Sequence, residues 1–468
     1  MTITFHGAAQ TVTGSKHLIT LLNGTKILLD CGLFQGQGDS TNELNANLGF
    51  NPSTINYVIL SHAHIDHCGL IPYLVAQGFN GTIYCTTATM QLANILLQDS
   101  AKIQMQDNEY QNKHLSRKGL PTKPPLYTDN DVIAALSLFK IVVYNTEFEI
   151  EPGITFNFTD AGHIIGSAAI NLSIVENGKQ TNITFSGDVG TYGDALLKSP
   201  HPFRQADYIL LESTYGDSLH KDLAPTEDEL LKVITETCLA KRGKVIIPAF
   251  SVGRTQEILY ALNTLEEQGK LPDVAYYVDS PLAIKATQIL KNNTQVLNQN
   301  VQKTLETDND IFKFKGLRFI ESVIESKALN TDTRPCVIIA SSGMADAGRV
   351  KHHIKNNIGN VKNTILMVGY CEPNSLGGKL LSKNFEVQIF GDTYQVNAEI
   401  QAIKSMSAHG DYQDLINFLA CQNPAEVKKI FLVHGELATQ QKLKQRLLAI
   451  GFANVEIPYL HQSVKLNK

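Results

Sequence analysis

Short runs of apolar residues separated by tight turns dominate the first two hundred positions of the chain. Residues 17–22 and 26–30 flank Asn23-Gly24, a dipeptide typical of a β-hairpin turn. Helices are predicted at 70–77 and 88–99, whereas the polar stretch 100–128 is typical of a loop. Further β-strands are predicted at 3–5, 57–61, 83–85, 141–144, 155–159, 168–174 and 182–186.

The pattern changes after about residue 205, where β-rich runs alternate with amphipathic segments. Strands are predicted at 208–212, 244–248, 275–279, 336–340 and 364–369, and helices at 227–240, 254–268, 282–300 and 349–357. Such alternation indicates a parallel sheet with crossover helices. The C-terminal part returns to strands with one or two helices.

Composition adds that the chain is globular and large enough for more than one domain. It has 468 residues, of which 43% are hydrophobic and 18% charged. Domains of roughly 100–200 residues are typical, so two or three are expected.

Charge and cysteine usage restrict the setting in which the protein works. The net charge is −5, so binding to nucleic acid would need local basic patches or bound cations. The seven cysteines form no CxxC pair, which favours a reducing cytoplasm. We expect no signal peptide, because residues 1–14 lack a basic region followed by an apolar one. We expect no membrane span, because no apolar run approaches ~18 residues.

The strongest chemical signal is the segment Ser61-His62-Ala63-His64-Ile65-Asp66-His67, which follows a predicted strand. His62 and His64 are two residues apart, so an extended backbone points both side chains the same way. Imidazole nitrogens and carboxylate oxygens are good zinc ligands. A solvated histidine-rich loop is the alternative, and the HxHxDH spacing disfavours it.

Three further positions could complete a metal site. His163, Asp188 and His434 each stand next to a glycine at the end of a predicted strand. A single histidine or aspartate in a turn is more often structural. Together with residues 62–67, however, these three would form a ligand set for two metals.

The ordered motifs resemble the β-CASP branch of the metallo-β-lactamase superfamily, which contains RNA-processing nucleases. The lactamase-like motifs are GAAQTVTGSKHLI (7–19), LLDCGLFQG (28–36), SHAHIDHCGLIPYL (61–74), AGHIIGSA (161–168) and FSGDVG (185–190). The branch-specific motifs are ESTYGDSLH (212–220), PAFSVGRTQEIL (248–259), DSPLAIKAT (279–287), SSGMADAGR (341–349), SAHGD (407–411) and LVHGE (432–436).

The resemblance implies an αββα lactamase sandwich interrupted by an inserted β-CASP domain of parallel sheet and helices. The expected boundaries are 1–207 and 395–468 for the two parts of the lactamase domain, and 208–394 for the insertion. A cleft between the domains would favour single-stranded RNA as the substrate.

The resemblance also implies two Zn²⁺ ions and a role for each motif residue. His62, His64 and His163 would hold one zinc, Asp66, His67 and His434 the other, and Asp188 would bridge them. Asp30 would orient ligands. The expected catalytic residues are Asp66, Glu212 and His409.

The implied reaction is hydrolysis of a phosphodiester bond in RNA. A hydroxide shared by the metals would attack phosphorus. His409, held by Glu212, would protonate the leaving 3′-oxygen, so the products would carry 5′-phosphate and 3′-hydroxyl ends. Without the resemblance, His409 would be interpreted as a turn histidine and Glu212 as a surface or helix-entry carboxylate.

Substrate contacts are less sharply indicated. Arg254 begins a predicted helix, where it could bind phosphate or pair with a nearby acid. Ser407 could donate to a phosphate oxygen. A basic run on a predicted helix is either a solvated face or an RNA-binding edge; it consists of Arg349, Lys351, His352, His353 and Lys355.

Part of the chain departs from the family pattern. In the segment 369–379, Cys371, Asn374 and Gly378 replace the usual Gln, Gly and Arg. This departure concerns substrate contacts rather than metal ligands.

Several alternatives stay open on the sequence. The chain could be a zinc hydrolase of small esters or nucleotides, or a noncatalytic RNA-binding subunit. Endonuclease and 5′-exonuclease action are not distinguished, DNA is not excluded, and manganese or iron could replace zinc. A homodimer is compatible with the sequence.

Overall fold

The computed structural model describes residues 1–220, 225–369, 371–403 and 405–466. They form two compact units. The first unit comprises Met1–Asp194, Lys198–Leu219 and His409–Lys468, and the second comprises Ala195–Leu197 and His220–Ala408. The domain boundaries given above stay predictions.

Two sheets form the centre of the first unit. Strands of the first sheet are β1 (Thr2–Phe5), β2 (His17–Thr20), β3 (Lys26–Leu29), β4 (Tyr57–Ile59), β5 (Thr82–Cys85), β6 (Phe139–Ile141) and β22 (Ser463–Lys465). Their order is β22-β1-β2-β3-β4-β5-β6. The antiparallel pairing of β2 with β3 confirms the predicted hairpin, and β3 to β6 are parallel.

The second sheet combines antiparallel and parallel strands. They are β7 (Phe148–Glu151), β8 (Ile154–Asp160), β9 (Ala168–Glu176), β10 (Lys179–Phe185), β11 (Tyr208–Glu212), β20 (Lys429–Val433) and β21 (Val455–Glu456). Their order is β21-β20-β11-β10-β9-β8-β7. The strands β10, β11 and β20 are parallel neighbours, so their carboxyl ends lie at one edge.

Apolar side chains from both sheets share one core, and helices cover the outer faces. Ile19 and Ile59 of the first sheet belong to the same buried cluster as Phe156 and Phe185 of the second. The helices are α1 (Thr41–Ala46), α2 (Ile65–Cys68), α3 (Ile71–Ala76), α4 (Thr87–Arg117), α5 (Asp129–Leu136), α13 (Tyr412–Phe418) and α14 (Leu437–Ala449). Helices α13 and α14 pack on the second sheet, and α4 contacts β6. This layering confirms the predicted αββα sandwich.

The second unit contains the predicted parallel sheet with helices. Its strands are β12 (Lys244–Pro248), β13 (Ala275–Val278), β14 (Leu317–Phe319), β15 (Cys336–Ala340), β16 (Thr364–Met367) and β19 (Glu399–Ala402), in the order β14-β13-β15-β12-β16-β19. A separate hairpin joins β17 (Glu386–Ile389) to β18 (Asp392–Gln395). The helices are α6 (Thr226–Ile234), α7 (Arg254–Glu267), α8 (Pro281–Lys291), α9 (Gln299–Thr304), α10 (Val323–Thr331), α11 (Gly348–Asn357) and α12 (Leu376–Leu381).

Three predicted segments were wrong. The strand predicted at 141–144 overlaps the structure only at Ile141, because β6 spans Phe139–Ile141. The stretch 100–117 is not a loop, because α4 continues for 31 residues. Its buried side chains end at Ala101, so the apolar periodicity stops although the backbone, which contains neither glycine nor proline, stays helical. The predicted helix 282–300 is divided into α8 and α9, because Asn292 ends the first and the side chain of Asn298 caps the second.

None of the helices in the described part of the chain has the length and apolar character needed to cross a bilayer.

A fully buried lysine lies beside the first sheet. Lys16 donates its Nζ to the carbonyl oxygens of Gly14, at 3.2 Å, and Gly32, at 3.1 Å. The Nζ also lies 4.2 Å from the centre of the Phe34 ring. Burial lowers the pKa of Lys16 from 10.5 to about 8.

We expect Lys16→Met to change how stability depends on pH. Below pH 8 wild-type Lys16 is charged in both folded and unfolded states, so folding desolvates a charge. Between about pH 8 and 10.5 the unfolded chain binds the extra proton, and rising pH stabilises the folded wild type. The free energy of unfolding of wild type relative to Lys16→Met should rise by roughly 3 kcal/mol from pH 7 to pH 10.5.

Urea unfolding followed by circular dichroism at each pH measures this difference. The exposed Lys113→Met serves as the control and should show none of the trend. A difference between Lys16→Met and wild type that stays constant with pH would contradict the assignment.

Candidate metal centre

Strand ends of both sheets in the first unit bring the predicted site residues together. Asp30 follows β3, and the segment 62–67 follows β4 and forms α2. From the second sheet come His163 after β8, Asp188 after β10, Glu212 at the end of β11 and His434 after β20. Because these ends meet at one edge of the sandwich, residues more than 300 positions apart in the sequence become neighbours.

The first ligand group consists of His62, His64, His163 and Asp188. One ligand atom of each lies within 4.8 Å of all the others. His64 Nδ1 is 3.2 Å from His62 Nε2 and 3.1 Å from His163 Nε2. Oδ2 of Asp188 is 3.4 Å from His62 Nε2 and 3.5 Å from His163 Nε2.

The second ligand group consists of Asp66, His67 and His434, and Asp188 faces this group too. His434 Nε2 is 3.2 Å from His67 Nε2 and 3.3 Å from Asp66 Oδ2. Oδ1 of Asp188 lies 3.2 Å from His67 Nε2 and 3.5 Å from His434 Nδ1. The two carboxylate oxygens of Asp188 are therefore turned toward different groups.

Burial and the neighbouring charges set the protonation of these residues. Burial lowers the pKa of His62 to about 3 and that of His64 to about 4, which keeps both rings neutral. Burial also opposes charge on His67, but the carboxylates of Asp188, Asp30 and Asp66 raise its pKa well above the ordinary value. The surrounding histidines lower the pKa of Asp188 well below its usual range, although burial acts in the opposite direction.

These donors fit metal ions. A neutral imidazole has one N–H, and in His62 Nδ1 lies 3.0 Å from Ser61 Oγ, which leaves Nε2 as a lone pair facing other nitrogens. Oδ1 of Asp188 is buried and has no hydrogen-bond partner among the described residues. Converging lone pairs and a buried carboxylate are unfavourable unless a cation lies between them. The types of donor atom in this centre and their burial are therefore those of a metal-binding site.

Asp30 and Ser61 hold the rings of His62 and His67. Asp30 Oδ2 accepts a 2.6 Å hydrogen bond from His67 Nδ1, which turns Nε2 of that ring toward the second ligand group. Ser61 donates its hydroxyl to Asp30 Oδ2 at 2.9 Å and its amide to Asp30 Oδ1 at 2.8 Å. This network fixes ring orientation before any metal binds.

Thr214, which the sequence analysis missed, performs the same task for His434. Its Oγ1 lies 3.1 Å from His434 Nδ1 and 3.2 Å from the His434 carbonyl oxygen. The hydroxyl can donate to the carbonyl and accept from Nδ1–H, which leaves Nε2 free of a proton. The signal was a hydroxyl residue two positions after Glu212, which is common in turns.

Unusual backbone at two residues and a close approach between two loops shape the centre. Asp30 and His434 have φ of 58° and 52°, which non-glycine residues seldom adopt. A Cβ at Gly190 would lie 1.8 Å from the carbonyl oxygen of Gly162, so only glycine lets the loop after β10 pack on the loop of His163.

His409 lies beside the first ligand group and is held by a buried carboxylate. Its Nδ1 is 3.1 Å from Glu212 Oε1, and its Nε2 is 3.9 Å from Asp188 Oδ2. Glu212 also accepts from the amides of Val189 and Thr214, so it is not the surface carboxylate of the alternative interpretation. Burial would lower the pKa of His409, but Glu212 and Asp188 raise it to about 9.

The candidate substrate contacts lie in the second unit. Arg254 is buried and forms an ion pair with Glu257, the pairing that the alternative interpretation expected. Ser407 is half-buried, and its role stays a prediction. The basic run on α11 is divided: Arg349 and His353 turn inward to Asp279, and the other three side chains face solvent or lie half-buried at the surface.

Two of the departures from the family pattern, Asn374 and Gly378, have local structural roles. Asn374 binds Glu372 through its side-chain amide. A Cβ at Gly378 would lie 2.2 Å from the Glu372 carbonyl oxygen, so this turn has no room for the usual arginine. Tyr370, in the same segment, lies outside the described residues.

Family models match three parts of the chain. Residues 13–235 match the metallo-beta-lactamase superfamily, residues 255–380 the Beta-Casp domain, and residues 393–458 the Zn-dependent metallo-hydrolase RNA specificity domain. Fold, ligand chemistry and these matches define the class as metal-dependent hydrolases of the lactamase fold.

Similar proteins identify the branch of the superfamily to which the chain belongs. A ribonuclease of Thermus thermophilus is 33% identical, over 96% of this chain and 95% of its own length. An RNase J-like protein of Methanocaldococcus jannaschii is 32% identical, over 92% of each chain. The transcription termination factor FttA of the same organism is 30% identical, over 93% of this chain and 67% of its own. The chain belongs to the β-CASP family of the metallo-β-lactamase superfamily.

Thr214→Val should weaken metal binding without changing a ligand. Valine keeps the shape of threonine but cannot accept from His434 Nδ1, so we expect roughly 10–100-fold lower metal affinity. Thr214→Ser, which keeps the hydroxyl, should bind like wild type. Competition with a chelator, followed by metal analysis of the protein, measures both variants. Equal affinity of the valine variant and wild type would refute the role of Thr214.

Proposed function

We propose that this chain is a zinc-dependent ribonuclease that hydrolyses single-stranded RNA and leaves 5′-phosphate and 3′-hydroxyl ends. The observation that carries the proposal is Asp188, whose two oxygens face two separate ligand groups while His409 lies beside one of them. Such an arrangement suits two metals acting on one phosphate.

His62, His64 and His163 would hold one zinc, Asp66, His67 and His434 the second, and Asp188 both. Zinc bound there would supply Lewis acidity at the phosphate and a nucleophile formed from water near neutral pH. The protein keeps the ligands in place through Asp30, Ser61 and Thr214. Asp66 is counted among the catalytic residues because its carboxylate, 19% exposed, is open to the reacting groups.

His409 would act as the general acid. Glu212 holds Nδ1, so Nε2 faces the site and can deliver its proton to the leaving 3′-oxygen as the bond from phosphorus to that oxygen breaks. Glu212 favours the protonated ring, whereas bound cations would oppose the protonated ring and lower the pKa of His409. Phosphorus gains a bond to the water oxygen, loses its bond to the 3′-oxygen and keeps its bond to the 5′-oxygen. The downstream fragment therefore carries a 5′-phosphate and the upstream fragment a 3′-hydroxyl.

RNA is the proposed substrate because relatives that match nearly the whole chain are a ribonuclease and an RNase J-like protein. The match of residues 393–458 to an RNA specificity domain supports the same substrate. A two-part division of the lactamase domain, homodimer formation and a cytoplasmic location remain further predictions of this proposal.

His62→Ala should abolish cleavage, because it removes a nitrogen from the first ligand group. Zinc-loaded wild type and variant are incubated with a single-stranded RNA labelled at either end. Wild type should cut, and the two labels should separate internal cuts from stepwise 5′ removal. His114→Ala, on the exposed part of α4, is the matched control and should cut like wild type.

Other outcomes would favour the rival functions. If the chain binds two zinc ions and hydrolyses a small phosphodiester but does not cleave RNA, its substrate is a small ester or nucleotide. RNA binding without zinc would indicate a noncatalytic subunit.

His409→Ala should slow cleavage by roughly 10²–10⁴-fold and leave the metal content unchanged, because a general acid contributes about that much. Glu212→Gln should give a smaller loss, since glutamine still accepts from Nδ1 but carries no charge. Single-turnover rates and metal analysis together measure both effects. Loss of zinc from His409→Ala would make this residue a ligand and contradict its assignment.

A further inference from the structure

An exposed aromatic side chain stands at the turn of the β17–β18 hairpin in the second unit. Phe390 follows β17 directly, and 49% of its surface is open to solvent. The strand residues before it alternate, with Val387 and Ile389 buried. The hairpin thus buries one face and presents Phe390 at its tip.

Cationic side chains from one face of α11 surround this ring. The Nζ of Lys351 lies 5.0 Å from the centre of the Phe390 ring, and the Nζ of Lys355 lies 5.7 Å from it. The ring of His352 packs against Phe390 with centres 4.6 Å apart and planes at 32°. Lys355 also lies 5.5 Å from the Tyr394 ring.

The charge on this surface is opposite to that of the whole chain. The net charge of the protein is −5. Burial lowers the pKa of His352, and Lys355, Lys327 and Lys351 lower it further together with His353, so several cations act on one ring. Asp392 offsets part of this charge through a 3.6 Å ion pair with Lys355. Lys351 Nζ donates to the backbone oxygen of Asp346 at 3.1 Å, which leaves its charge without a carboxylate partner among the described residues.

We propose that Lys351, His352, Lys355 and Phe390, all of the second unit, form a binding surface for single-stranded RNA that includes none of the candidate metal ligands. We call these four residues the α11 surface. Bases would stack on Phe390 and His352, and phosphates would lie against the two ammonium groups. Alternating rings and cations match alternating bases and phosphates. A duplex fits less well, because its bases are already stacked on one another.

This inference rests on the proposed function, since it names a second contact for the same substrate. It also explains why the basic run on α11 is divided. Arg349 and His353 bind Asp279 at 2.5 and 2.6 Å and fix the helix, which leaves Lys351, His352 and Lys355 on the accessible side.

Binding of a fluorescent uridine 12-mer to the full chain tests the α11 surface. The His62→Ala background prevents cleavage, and affinity is measured between 50 and 200 mM salt. Phe390→Ala should weaken binding roughly tenfold, within the range for losing one stacked base. Phe390→Leu keeps the apolar contact with the helix but offers no ring, so it should lose a similar factor.

The lysines are tested by the salt dependence of the same binding. Lys351→Gln combined with Lys355→Gln should reduce the slope of log affinity against log salt by about 1.4, since each phosphate contact on a single strand contributes about 0.7. Phe385→Ala, 84% exposed next to the same hairpin, and Lys315→Gln, on another surface of the second unit, are the matched controls. Neither should change affinity or slope.

The outcomes separate this inference from the proposed function. Unchanged affinity in both Phe390 variants, or an equal loss in Phe385→Ala, would overturn the α11 surface even if wild type cleaves RNA. Binding that depends on Phe390 would support it even if wild type cleaves nothing. If a poly-glutamate peptide bound with the same dependence on Phe390, the partner would be an acidic protein and the RNA assignment would be wrong.

Discussion

The structure of the first unit depends on one arrangement: a buried carboxylate surrounded by imidazoles. Asp188 is 2% exposed and lies within 4 Å of His62, His67, His163, His409 and His434. Burying these imidazoles and a carboxylate together costs free energy, because water would otherwise solvate each of them. The sandwich has to hold these groups rigidly enough to prevent them from turning away.

The sheets supply that rigidity in two ways: parallel strands end at one edge, and residues at these ends form hydrogen bonds to the histidine rings. Each critical ring is fixed on the side away from the metal: His62 by Ser61, His67 by Asp30, His434 by Thr214 and His409 by Glu212. All four partners occupy positions at or near the end of a strand, where the backbone is held by the sheet. The strands that form the core of the fold thus also position the side chains of the candidate metal centre.

The sequence predicted the class of fold, because apolar periodicity marks the strands and helices. It also named as candidate ligands the residues that the structure brings together, because the spacing of residues 62–67 and the ordered motifs mark them. It failed where the signal was not periodic. The outer half of α4 has no apolar stripe, and Ser61 and Thr214 are small hydroxyl residues of a kind found in many turns. On α11 the helical spacing does predict which basic residues lie together: residues 349 and 353 share one face, and 351 and 355 share another. Only the partner Asp279 decides which face turns inward.

Metal binding and stability of the first unit are linked by the same geometry. Without a cation, the converging lone pairs and the buried Oδ1 of Asp188 are uncompensated, and protons can only partly replace the metal. The raised pKa of His67 and the lowered pKa of Asp188 express that partial compensation. A cation that binds the folded centre, but not the unfolded chain, removes this cost and stabilises the strand ends that formed it. The hydrogen bonds from Ser61, Asp30 and Thr214 to the histidine rings therefore have to hold the ligands in place against this free-energy cost until a metal binds.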